Sequence, residues 1–307
     1  CLLGAKASYF LPNRMDEGYG LHADTVQRLA SAGRKMIITV DCGIGSLEAA
    51  ARARQLGISL VITDHHHFGE SIPDADAIVH PGLPGKSYPF TGLCGAGVAF
   101  KLTWALCQER TQSQRVAEHL RDFLVQAVGL AAIGTVADVV PLVDENRILV
   151  RNGLKTLLNS PLVGIQKLKE LSQLQRKQTL AAEDIAFSLA PRLNAAGRLG
   201  QAQLGVELLV TEDAERAGAL ADYLQELNDN RNKLERSIHL AASKQLKELH
   251  SIDDDPAFVV SSPGWHPGVI GIVAGRLAEK YHRPVVVIAA LPRTATTLLH
   301  TVAATQG

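Results

Sequence analysis

Two short apolar runs, Met36–Val40 and Ile58–Thr63, each break off at an aspartate, with an Ala-rich stretch of helical spacing, Ser46–Gln55, between them. A third run, Ala77–Val79, ends at His80-Pro81. Strands joined through a helical crossover pair in parallel and carry helices on their faces. The pattern therefore predicts an α/β fold. Ligands of such sheets bind beyond the carboxyl ends of the strands. The residues to inspect are those that follow each run, Asp41-Cys42-Gly43 and Asp64-His65-His66-His67.

From Gly95 to about Leu168 the spacing is helical, with Ala96–Gln108, Val116–Ala137 and Asn146–Leu158 as the main helices and Asp138 directly after the second. Glu183–Leu189 and Gln203–Val210 read as shorter helices around a loop, Pro191–Arg198. Asp213 to about Leu249 contains no proline and reads as one long helix. After an acidic turn, Ser251–Pro256, strand Ala257–Ser261, helix Val269–Tyr281 and strand Pro284–Ala289 begin a second α/β unit. The expected organisation is a catalytic domain over 1–212, a connecting helix over 213–250 and a partial second domain over 251–307. Near the start, Ala7–Leu11 is strand-like, and the absence of an initial Met suggests that upstream sequence is missing.

Composition narrows the partners. The chain has 31 Lys and Arg against 31 Asp and Glu, so no general basic field draws a polyanion; local cations or bound metal must do so. The four cysteines, Cys1, Cys42, Cys94 and Cys107, form no CxxC pair, which points to reduced thiols in a cytoplasmic protein. No apolar run reaches the ~20 residues needed to span a bilayer, and the first residues lack a signal-peptide layout.

Three constellations carry possible chemistry. The first is Asp41, Asp64-His65-His66 and Asp138. Carboxylate and imidazole donors together suit Mn²⁺ and its neighbours, whereas Mg²⁺ prefers oxygen alone. Asp41 and His65 would project from neighbouring strand tips into one crevice, with Asp138 closing it from a helix end. Singly, each has an ordinary alternative: an Asp after a strand often caps a helix or forms a turn, and His67 reads as a solvated loop residue. The second is Asn194-Ala195-Ala196-Gly197-Arg198, where small residues allow close approach and Arg offers a donor fork to phosphate; a plain inter-helix turn is the competing reading. The third, Gly264–Arg276, places glycines at a helix start, where free N–H groups attract anions. Gly271 and Gly275 share a helical face that would permit close backbone contact, and tight packing explains the segment equally well.

In this order, Thr39-Val40-Asp41-Cys42-Gly43, Thr63-Asp64-His65-His66, Gly134–Leu142 and Asn194–Arg198 resemble the DHH-family phosphoesterases. With Gly264–Arg276, and with Asn13-Arg14 before Gly18-Tyr19-Gly20-Leu21, the chain is similar to the single-strand-specific 5′→3′ DNA exonucleases of that family over roughly residues 7–290. The resemblance implies a parallel-sheet DHH domain with a helical insertion, a long connecting helix and a partial DHHA1-type domain. It implies Asp41, His65 and Asp138 as metal ligands, Asp64 as their support, and His66 at the scissile phosphate. Asn194 and Arg198 would hold a 5′-terminal phosphate, with His266 and Arg276 facing the strand. The implied cofactor is Mn²⁺ or Mg²⁺, two ions in the complete enzyme. The implied partners are single-stranded DNA, single-strand-binding protein and repair helicases, with no membrane, in DNA repair and recombination.

Two departures from the family pattern shape the expectations. The family's Asp-x-Asp strand would precede Cys1, so this chain alone should bind metal poorly and show little activity. Residues 290–307 no longer resemble the family and should be poorly ordered. Two other readings are a relative acting on short oligonucleotides or cyclic dinucleotides, and an inactive binding fragment.

Overall fold

The computed structural model describes residues 3–12, 18–85 and 87–290. Asn13-Arg14 and the tail from 291 onward lie outside them. The chain divides into two compact units, one of residues 1–12, 17–191 and 208–218, the other of residues 13–16, 192–207 and 219–307.

In the first unit, β1 (Met36–Val40), β2 (Ser59–Thr63) and β3 (Ala77–Val79) form a parallel sheet in that order, with Val40 opposite Thr63 and Thr63 opposite Val79. Helices α1 (Ala23–Ser31) and α2 (Leu47–Gln55) complete a small core in which Val26, Ala49, Ala50, Leu60 and Ile62 are buried. Alternation along β1 buries Ile37 and Thr39 and leaves Met36, Ile38 and Val40 about half exposed. Parallel strands are usually covered on both faces, so β1 is an unfinished edge among the described residues. Ala7–Leu11 is irregular and not a strand, because no described strand runs beside it to supply a ladder.

The helical part holds α3 (Gly95–Thr111), α4 (Glu118–Ala137), α5 (Asp144–Leu158) and α6 (Val163–Leu171). Leu93, Val98, Phe100, Leu120, Leu124 and Leu149 make its core. By length and composition α4 could cross a membrane, at a mean hydropathy of 1.4, which the sequence reading did not anticipate. It instead packs along α3 and α5, as the central helix of a core does.

The segment expected as a loop is helical. A short turn, α7 (Ala182–Asp184), leads through a π-helical stretch, Ile185–Leu189, into α8 (Ala190–Arg198). A π-bulge loosens the i→i−4 ladder, and Pro191 sits just after it, where its missing N–H costs least. Ala195 and Ala196 are fully buried, so tertiary packing outweighs the weak propensity of Asn194 and Gly197. Helix α9 (Ala202–Val210) follows.

The long helix is α10 (Ala214–Leu249), 36 residues, and the division of the chain falls within it after Gly218. Asp213 caps it, its carboxylate accepting from the Glu215 and Arg216 N–H groups at 2.9 and 3.1 Å. In the second unit β4 (Phe258–Ser262) pairs in parallel with β5 (Val285–Ala289) across α11 (Pro267–Tyr281). Ile238 and Leu246 of α10 pack with Phe258, Val273, Leu277 and Val287. The expected close contact at Gly271 and Gly275 is absent: a Cβ added at either meets nothing within 4 Å, because their face of α11 is open.

Candidate metal centre

Two strand tips and one helix end converge. The ladder continues past β1 and β2, with Asp41 N–H donating to Thr63 O at 3.0 Å and Asp64 N–H to Val79 O at 3.2 Å, so both loops start from fixed backbone. Asp41 then takes the left-handed conformation, φ 63°, which Asp tolerates better than most residues. Gly95, at the start of α3, makes room for it: a Cβ there would lie 2.1 Å from Asp41 Oδ1. Asp138 ends α4 and is followed by Val139 at φ 59°, a strained conformation for a β-branched residue, with its side chain 86% exposed.

His65 sits between the carboxylates. Its Nε2 is 3.1 Å from Asp41 Oδ1 and 3.4 Å from Asp138 Oδ2. Close as they are, neither is aligned as a hydrogen bond, and Nε2 is a buried nitrogen without a hydrogen-bond partner. The Asp41 carboxylate, against burial and aided by the Asp138 and Asp64 charges, raises the His65 pKa. Burial raises that of Asp138, which the His65 charge partly offsets.

Asp64 is almost fully buried. Its carboxylate accepts from the N–H groups of Ile44 (2.9 Å), His65 (2.7 Å) and His66 (3.2 Å), and its Oδ1 is 2.7 Å from His66 Nδ1. Burial alone would push Asp64 up, but these hydrogen bonds outweigh it and hold the carboxyl below its ordinary range. Asp64 thus fixes the loop and orients His66 through Nδ1. Donor atoms of Asp41, His65 and His66 all lie within 4.8 Å of one another. The mutually close donor group thus holds His66 where Asp138 was expected; Asp138 reaches the site only through His65.

Sequence reasoning gave Tyr19 no role and overlooked Gly95. The Tyr19 hydroxyl donates to the Asp41 carbonyl and lies 3.3 Å from His66 Nε2, with the two rings edge to face. Cys42, next to Asp41, is no nucleophile: burial and then the Asp64 and Asp41 charges push its pKa up to about 11. Cys42, Cys94 and Cys107 are all free thiols.

The donor set fits a divalent cation. Oxygen and imidazole ligands suit Mn²⁺, and an orphaned buried nitrogen facing two carboxylates is what a cation between them would resolve.

The second group of expected residues lies in the other unit. Arg198, at the end of α8, donates to Gly268 O at 3.4 Å, and a Cβ on Gly268 would strike Arg198 O at 2.0 Å. His266 caps α11, its Nδ1 accepting from Gly268 N–H at 3.1 Å. Val269 and Ile270 N–H donate to His266 O. The expectation of free N–H groups at this helix start is therefore corrected, since the capping imidazole and carbonyl take those donors. Asn194 is exposed on α8. Arg276 is paired with Glu235, a carboxylate only 2% exposed that also meets Arg231 Nη1 at 3.3 Å. Glu235 escaped the sequence reading; its place four residues after Arg231 was the available signal.

Residues 2–135 match the family model described as DHH family, N-terminal domain. The single-stranded-DNA-specific exonuclease RecJ of Bacillus subtilis is 41% identical over 286 residues, which cover 93% of this chain and 34% of that protein. A crystal structure of exonuclease RecJ bound to manganese superposes with a TM-score of 0.76 at 38% identity, covering 91% of this chain and 66% of the other. RecJ from Thermus thermophilus in complex with Mn²⁺ gives a TM-score of 0.72 at 36% identity, covering 87% and 38%. The chain thus spans from about a third to just under two thirds of the length of these relatives. On the motifs, the sheet and these likenesses, residues 2–135 are a DHH-family N-terminal domain.

Proposed function

We propose that this chain is the metal-dependent core of an exonuclease that hydrolyses single-stranded DNA in the 5′→3′ direction. The observation that carries the reading is His65 Nε2, buried without a hydrogen bond between two carboxylates. Asp41, His65 and Asp138 would hold Mn²⁺ or Mg²⁺, with further ligands from the longer protein completing a two-ion site. When bound, the cation supplies Lewis acidity toward a phosphoryl oxygen and lowers the pKa of a water.

The chain's own residues do the rest. Asp64 locks the His65-His66 backbone and holds the His66 ring through Nδ1. There His66 can donate to a phosphate oxygen, with Tyr19 holding its ring edge. Asn194, Arg198, His266 and Arg276 supply donors for backbone phosphates, Arg276 as the most exposed cation of the set. The likeness to RecJ supports DNA repair and recombination as the setting, a cytoplasmic location, and single-strand-binding protein and repair helicases as partners of the longer protein.

The test is manganese-dependent nucleotide release from 5′-phosphorylated DNA, measured on the full-length protein carrying this segment. Release from single strands, absent from duplex and abolished by Asp41→Asn, is expected. Equal release from duplex, or activity indifferent to Asp41→Asn, would contradict the reading. Preference for short oligonucleotides or cyclic dinucleotides over long strands would favour the small-substrate relatives.

A further inference from the structure

The face of α5 that carries Arg147, Arg151 and Lys155 has no part in the metal centre. These residues recur every fourth position, so they line one side of the helix over two turns, roughly 12 Å. All three are exposed, and none forms an ion pair among the described residues. Like charges at this spacing weaken an isolated helix, so the row does nothing for α5 itself. Two acidic residues open the helix: Asp144, exposed and in no ion pair among the described residues, and Glu145, already engaged by Tyr88 and Lys101.

The row borders a depression of about 430 Å³. Its floor is aliphatic: Leu142, Val150, Leu154, Leu158 and Leu180, with Thr179 as its one uncharged polar residue. Leu142 is 39% exposed, and Leu154 and Leu158 are half-buried. The long stems of the arginines extend that apolar surface while their heads stay in water. An apolar floor under a positive rim selects a ligand that is both negative and greasy. Nucleic acid fits it poorly, because no aromatic residue lines the depression for a base to stack on.

We propose that this groove docks an acidic segment of a partner protein, with a large apolar side chain seated among the leucines and flanking carboxylates on Arg147, Arg151 and Lys155. The row matches roughly four residues of extended peptide. The charged rim would govern salt dependence and choice of partner, and the seated side chain would govern residence. The proposal is independent of the nuclease reading, since no residue of the groove belongs to the metal centre.

The test is selection from a randomised peptide library on the 307-residue chain, followed by fluorescence anisotropy of the winners. The selected peptides should be rich in Asp and Glu around Leu or Phe. Their affinity should fall roughly tenfold or more with R147E/R151E/K155E, and also when the apolar residue of the peptide is changed to Ser. Circular dichroism melting confirms that the variant is folded, and Arg151→Glu alone serves if the triple variant is not. Selection of peptides without acidic residues, or binding unmoved by the reversals, overturns the proposal. So does an oligothymidylate that binds the chain, loses affinity equally on reversal and displaces the peptide, which would assign the row to nucleic acid.

Discussion

The two charged clusters of the molecule are opposites in the sign of the charge they leave over. In the first unit, a buried imidazole nitrogen stands between two carboxylates with no hydrogen bond of its own. In the second, a buried carboxylate, Glu235, is flanked by Arg231 and Arg276. The same surroundings hold His239 below the ordinary imidazole range, through burial first and then the Lys280 and Arg276 charges. A buried charge persists only when it is paired or coordinated. The Glu235 cluster is paired and carries surplus positive charge, which suits an anion. The His65 cluster is paired as well, but its surplus is negative, which suits a cation.

Breaking the first cluster should have the largest effect. His65→Ala removes the one donor common to both carboxylates, and manganese-dependent activity of the full-length protein should fall by more than the roughly 10–100-fold that loss of an outer partner costs. Breaking the second should act on stability. Glu235→Ala takes the only carboxylate from the largely buried Arg231, leaving it the Asn228 and Asn232 side chains, which should cost about 3 kcal/mol in urea unfolding of the chain; the exposed Arg276 adds little to that figure. If Glu235→Ala melts like the parent, the pairing is idle and the contrast between the clusters fails.

Gly95→Ala sharpens the comparison more gently. Its Cβ would collide with Asp41 Oδ1, so manganese affinity should drop roughly tenfold while the melting temperature changes little. The smallest effect is expected at His250, away from both clusters. The Val259 backbone and then the Asp255 carboxylate raise its pKa. A raised folded-state pKa gives stability that is fully present below the unfolded value, near 6.5, and is lost as pH rises through the folded value. His250→Gln should therefore flatten the decline of the melting temperature across neutral pH.

Much of this was readable in the sequence, and the failures have physical causes. The strand tips at Asp41 and Asp64 were legible because strand–helix alternation permits essentially one pairing, and the sheet carries that order. Helix α10 was legible from the absence of proline. The segment Pro191–Arg198 was misread because a π-bulge, invisible to spacing, lets a helix continue through proline. The supporting cast was illegible for a different reason: Gly95 and Tyr19 matter through contacts 54 and 22 residues away in sequence, which no local pattern encodes, and the i,i+4 spacing of Glu235 shows Arg231 but not Arg276, 41 residues on. The open glycine face of α11 and the filled N-terminus beneath His266 depend likewise on what packs beside them.

The central claim is that Asp41, His65 and Asp138 share one divalent cation. Pulsed electron paramagnetic resonance of Mn²⁺ titrated into the full-length protein carrying this segment tests it directly, because an imidazole ligand leaves a nitrogen coupling in the spectrum. The account predicts that coupling in the parent, its weakening in His65→Ala and its loss when His66 is replaced as well, and its persistence at lower Mn²⁺ affinity in Asp138→Asn. A manganese signal without nitrogen coupling in the parent, or one unchanged by His65→Ala, would contradict it.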